Sequence, residues 1–169
     1  MKRDYQKEAE EFVEKLKPLA TDSKRGERAA LKRYWSAGTK TYAYPVLGGL
    51  FAIGNKPKEI TAALFAVHPA HQRLPSFGTT CHRIAGNNRD TFEPHFRRLL
   101  SSETLDDLAS QLHRLVKRAE RADIPVNYLQ LYQDLGCWRF RADNIKTNWA
   151  KDFWQAPDPI KAEEEAINS

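Results

Sequence analysis

The sequence predicts an all-α protein. Three observations carry that expectation: apolar residues recur at three- and four-residue spacing, prolines and caps punctuate those runs, and no alternating pattern marks a convincing strand pair. From Asp4 to Lys17, residues Tyr5, Ala9, Phe12, Val13 and Leu16 form one stripe that Pro18 ends. Asp22 or Ser23 offers a cap for KRGERAALKRYWS, which Gly38 closes. Pro45 and Pro57 stand where first-turn prolines belong, opening PVLGGLFAI and PKEITAALFAV, with Gly54-Asn55 between them and Pro69 after. VHPAHQRLPSFGTTCHRIAGNNRD reads as a long loop holding one helix around 76–85.

The second half is more regular. Phe92, Phe96, Leu99 and Leu100 mark a helix over 91–101, and Thr104 with Asp107 makes a capping-box-like start for the next. Leu105, Leu108, Leu112, Leu115, Val116 and Ala119 form the apolar stripe of that helix. Pro125 opens another, with Leu129, Tyr132 and Leu135 inward and Gly136 as its stop; a last one carries Ile145, Trp149 and Phe153. The expectation is eight or nine helices in two small packed bundles. Their spans are an N-terminal subdomain 1–86 and a C-terminal subdomain 87–156, followed by an acidic, disordered tail 157–169.

Composition bounds the function. A chain of 169 residues with 41% hydrophobic and 29% charged residues, four Trp, six Tyr and eight Phe builds a core and is not wholly disordered. The longest apolar run, Pro45 to Ile53, is broken by Gly and falls far short of the ~20 residues of a membrane span. Residues 1–17 lack the apolar stretch of a signal peptide, and two cysteines are too few for a disulfide framework; a cytoplasmic location is expected.

The net charge of +5 conceals an asymmetry: 157–169 carries −3, which leaves +8 on 1–156. Arg25, Arg28, Lys32 and Arg33 cluster on one predicted helix, and Arg114, Lys117, Arg118 and Arg121 on another. Arg97 and Arg98 adjoin, and Arg139 and Arg141 bracket Phe140 before Lys146. Like charges at helical spacing repel by a few tenths of a kcal/mol per pair. A solvated face normally interleaves Glu with Lys, whereas Glu27, Glu120 and Asp143 relieve the repulsion only partly. A guanidinium forks onto phosphate with two donors, so the excess of Arg points to nucleic-acid backbone. Ordinary solvated surface is the competing account of any one cluster. Tyr34, Trp35 and Trp138 lie near these groups; core packing accounts for them better than base stacking.

Other chemistries fit less well. His68, His71, Cys81 and His82 are zinc-ligand types, but the first pair straddles Pro69 and adjacent residues on a helix point apart. No GxSxG, HExxH or P-loop appears, and Asp106-Asp107 reads as favourable charge at a helix start. No catalytic residue, metal or cofactor is expected. A freestanding helical DNA-binding or regulatory protein is the alternative, distinguished by useful affinity for duplex on its own.

RGERAALKR, SFGTTCHRIAG, FRRLLSSETLDDLASQLHRLVKRAERADIPVNYLQLYQDL and WRFRADNIKTNWAKDFW occur in that order. Over residues 5–155 this set resembles the small subunit of the type I-E CRISPR Cascade complex, the CasB family. The resemblance implies a non-catalytic, all-helical subunit of an RNA-guided antiviral surveillance complex. It implies two copies beside the backbone and large subunits, with crRNA and target and non-target DNA as partners, and R-loop stabilisation through basic surfaces. The matching positions are Lys32, Arg33, Arg83, Arg97, Arg98, Arg114, Lys117, Arg139, Arg141 and Lys146, and Arg118 joins them from its cluster. Cys81-His82 and the acidic tail are this chain's own.

Overall fold

A computed structural model describes residues 2–156; the expected acidic tail lies outside the described residues. The described residues form eight α-helices: α1 (Lys2–Leu16), α2 (Arg25–Lys32), α3 (Tyr44–Gly49), α4 (Lys56–Val67), α5 (Phe77–Ala85), α6 (Arg89–Leu100), α7 (Leu105–Ala122) and α8 (Tyr128–Trp154). Short 3-10 turns at Lys17–Ala20, Asp22–Lys24, Arg33–Trp35 and Lys40–Ala43 complete the first half. Extended pairing among them is limited to one isolated parallel bridge between His71 and Val126. The all-α expectation holds.

Local chemistry starts the helices. Asn55 accepts from the amide of Lys58, Ser76 from Gly78, Thr104 from Asp107 and Asn127 from Gln130, each satisfying an amide that lacks an intrahelical partner. Helix α4 is the hub, because it is buried without interruption from Glu59 to Val67. A helix buried all round has no solvent face, so it sits in the middle, with α2, α7 and α8 packed around it. The one carboxylate there, Glu59, accepts from the Tyr34 hydroxyl at 3.0 Å and the Gly54 amide at 2.8 Å.

Helix α8 is 27 residues long and packs most extensively on α5. Contact is backbone to backbone at Gly78. A Cβ there would stand 2.8 Å from the carbonyl carbon of Trp149 and 2.9 Å from its Cα, and closer still to its carbonyl oxygen. The expected boundary near residue 86 falls in the turn between α5 and α6, and the apolar core runs through it, from Ala9 of α1 to Phe153 of α8.

Some elements differ from expectation. Gly136 does not stop a helix: α8 runs through it, and the interruption lies at Arg141 (φ −133°, ψ 26°). Glycine costs ~1 kcal/mol in a helix interior, which packing of Leu135 and Trp138 on either side outweighs. The second predicted helix ends at Lys32 and tightens into the Arg33–Trp35 turn. PVLGGLFAI yields only α3, since Phe51 takes positive φ (54°) after it.

Candidate nucleic-acid interface

Helix α7 organises the basic surface. Leu108, Leu112, Leu115, Val116 and Ala119 are buried, so Ser110, Arg114, Lys117 and Arg121, at spacings of four, three and four, form its outward stripe. On one flank the His113 imidazole stacks on Trp35, with ring centroids 4.3 Å apart and planes 8° from parallel. Trp35 is fixed in turn, its indole N–H donating to the Ala63 carbonyl of α4 at 3.2 Å. Burial, then the charges of Lys117 and Arg114, push His113 down to about 4, so it is neutral at physiological pH.

On the other flank Arg118 reaches α6. Its guanidinium donates to His95 Nε2 at 3.1 Å and lies over the Phe92 ring, 5.9 Å from the centroid. Burial lowers the basicity of His95, and the charges of Arg118 and Arg98 lower it further. Arg98 also borders a cleft of about 210 Å3 shared with Ser102, Asp107, Ser110 and Gln111. Arg98 thus borders Ser110 at the head of the stripe that carries Arg114 and Lys117, and Arg118 lies on the α6 flank of α7. Lys32 and Arg33 stand exposed just before Trp35, with the Arg33 guanidinium over Tyr42 at 4.7 Å.

The remaining residues lie apart. Arg139, Arg141 and Lys146 form a second group at the α8 kink, with Arg139 over Phe140 (5.7 Å) and Lys146 over Trp138 (5.5 Å). Arg83 is exposed on α5. Of the eleven expected residues, only Arg97 forms an ion pair among the described residues, with Glu93 at 3.6 Å. Cations without carboxylate partners hold mobile counterions, which a polyanion displaces with a gain in entropy. Arg28 leaves the surface set: it donates to the carbonyls of Leu19 (2.6 Å) and Thr21, holding the turns before α2.

Sequence reading missed Phe140, an aromatic 84% exposed. The available signal was its place off the Leu135, Trp138, Ile145 and Trp149 stripe, between two arginines. Tyr34 and Trp138 are buried, as core packing requires. The zinc-ligand types are engaged separately. His68 Nε2 bonds the Ile124 carbonyl (2.7 Å), His71 Nδ1 accepts from the Tyr128 amide (3.1 Å), and His82 contacts the Phe153 carbonyl and Arg89. Burial pushes the Cys81 thiol up. Among the described residues no three metal-ligating side chains converge, and no helix is long and apolar enough to cross a membrane.

This fold is similar to solved structures. A CRISPR-associated protein of the Cse2 family from Thermus thermophilus is 24% identical, with a TM-score of 0.71 over 88% of this chain and 98% of the other. CasB from Thermobifida fusca is 19% identical, with a TM-score of 0.68 over 88% and 97%. A chain of a CRISPR RNA-guided surveillance complex is 19% identical, with a TM-score of 0.74 over 95% and 99%. Comparison with curated proteins finds no match. The family model for CRISPR-associated protein Cse2 matches residues 27–154, which takes in α3 to α8 and all eleven of the expected basic residues. By that match the chain belongs to the CRISPR-associated Cse2 family, the CasB proteins that its motif order resembles.

Proposed function

We propose that this chain is a non-catalytic subunit of a Cascade-type RNA-guided surveillance complex. In that complex it steadies the R-loop by gripping nucleic-acid backbone. The observation that carries the reading is the strip of cations without carboxylate partners across α6 and α7, Arg98, Arg114, Lys117 and Arg118, continued past Trp35 to Lys32 and Arg33. Strand displacement is a nearly balanced exchange, so a few backbone contacts shift it. Such contacts ignore base identity, as a guide-programmed complex requires. The Arg139, Arg141 and Lys146 group and Arg83 extend the same chemistry to other faces. The partners of this reading are crRNA, target and non-target DNA, the backbone and large subunits, and a second copy of this chain.

The test is R-loop lifetime in the assembled complex at two salt concentrations, with Arg98, Arg114 and Lys117 changed together to Gln. The expected result is a shorter lifetime and a flatter salt dependence, by about 0.7–0.9 in log–log slope for each phosphate contact removed. An unchanged lifetime and slope would overturn the assignment of these residues.

A further inference from the structure

The kink of α8 leaves an arrangement that backbone gripping does not need. Phe140 stands almost wholly in solvent, two residues beyond the buried Trp138 and next to the kink at Arg141. Beside it runs a groove of about 520 Å3, between Leu135, Trp138 and Phe140 of α8 and Pro57, Glu103 and Leu105 opposite. That volume lies within the roughly 300–1,000 Å3 of small-ligand sites. Trp138 is only 4% exposed, and its indole N–H has no hydrogen-bond partner.

We propose that this groove seats one unpaired nucleobase of a single strand, stacked on Phe140, with Arg139 and Arg141 on the flanking phosphates. The inference rests on the nucleic-acid reading above. Two features favour a base over an apolar protein side chain. The aromatic lies between two exposed arginines that form no ion pair among the described residues, so its rim suits a polyanion. Glu103 on the opposite wall accepts from an exocyclic amine but repels a phosphate, which puts the base in the groove and the backbone at the arginines. Stacking on an aromatic tolerates any base, so the site holds a strand without reading it.

The experiment uses the full chain at about 50 mM salt, where backbone contacts are strong. Fluorescence anisotropy measures its affinity for a labelled oligothymidylate and for an abasic strand of equal length and charge. The wild type is expected to prefer the base-bearing strand by on the order of tenfold. Phe140→Ala should erase that preference without changing affinity for the abasic strand or the salt slope, and Phe140→Trp should retain it. Both variants are checked for an unchanged melting curve. Equal binding of both strands by the wild type, or a preference that survives Phe140→Ala, would sink the base site while leaving the backbone reading intact. If the wild type bound neither strand, the base site would fall, while the backbone reading would still be decided by R-loop lifetime in the assembled complex. Loss of incorporation into the complex by Phe140→Ala, with strand binding unchanged, would make the occupant a protein and overturn the proposal.

Discussion

At Gly78 two helices touch through their backbones, and no larger residue fits without moving one of them. Gly78→Ala therefore forces α5 and α8 apart, at a cost of ~1–3 kcal/mol. Thermal melting should show a drop of about 2–4 °C for each kcal/mol lost. A second single-residue effect comes from His113, half-buried against Trp35 and held to about 4 against an ordinary 6.5. The folded state binds the proton less readily than the unfolded one. Its contribution is thus complete above pH 6.5, shrinks as pH falls below that value, and levels off near pH 4. His71 and His95 shift in the same direction. His113→Phe keeps a stacked ring and removes the proton site. Denaturant midpoints measured from pH 7 to pH 4 should fall less steeply for that variant than for the wild type.

At the scale of elements, α8 illustrates how a cap and a long loop depend on one residue. Asn127 accepts from the Gln130 amide at 3.0 Å and donates to the Leu74 carbonyl at 2.6 Å, so it starts α8 and fastens the loop between α4 and α5. Asn127→Ala removes the cap, worth ~1 kcal/mol, and strands a buried carbonyl at a further ~1–3 kcal/mol. Asn127→Asp keeps the acceptor and loses only the donor, so equilibrium unfolding should rank wild type, Asp, Ala. Several elements were legible in sequence: the α7 stripe, the Thr104 cap, first-turn Pro57 and the Ser76 start of α5 all follow from local spacing. The passage of α8 through Gly136 was not, because local propensity favours a stop and only packing on both sides overrules it. Phe140 was equally hidden: a Phe beside Trp138 reads as core until the helix phase shows that it points away.

At the scale of the whole molecule, the buried side chains of both halves belong to one apolar cluster. Phe12 of α1 packs on Tyr132 of α8 with ring centroids 5.0 Å apart, and Tyr132 donates to Glu8 at 2.7 Å. Phe12→Ala should cost ~3–5 kcal/mol. Because the core is continuous, helical circular dichroism and Trp fluorescence should still report one coincident transition. Two separated transitions would instead favour independent units at 1–86 and 87–156.

Taken alone, the chain of residues establishes the helical class, most helix starts, the surplus of arginine and the ordered motifs of the Cse2 family. All of these are local or additive: spacing, caps and charge are properties of neighbouring residues. Which cations share a face is settled only by the packed fold. Arg118 reaches His95 and Arg98 comes beside Ser110 because α6 and α7 pack side by side, whereas Arg28 turns back to hold its own turn. Periodicity gives the phase of each helix about its own axis. The relative placement of two helices comes from the side chains that fill the space between them.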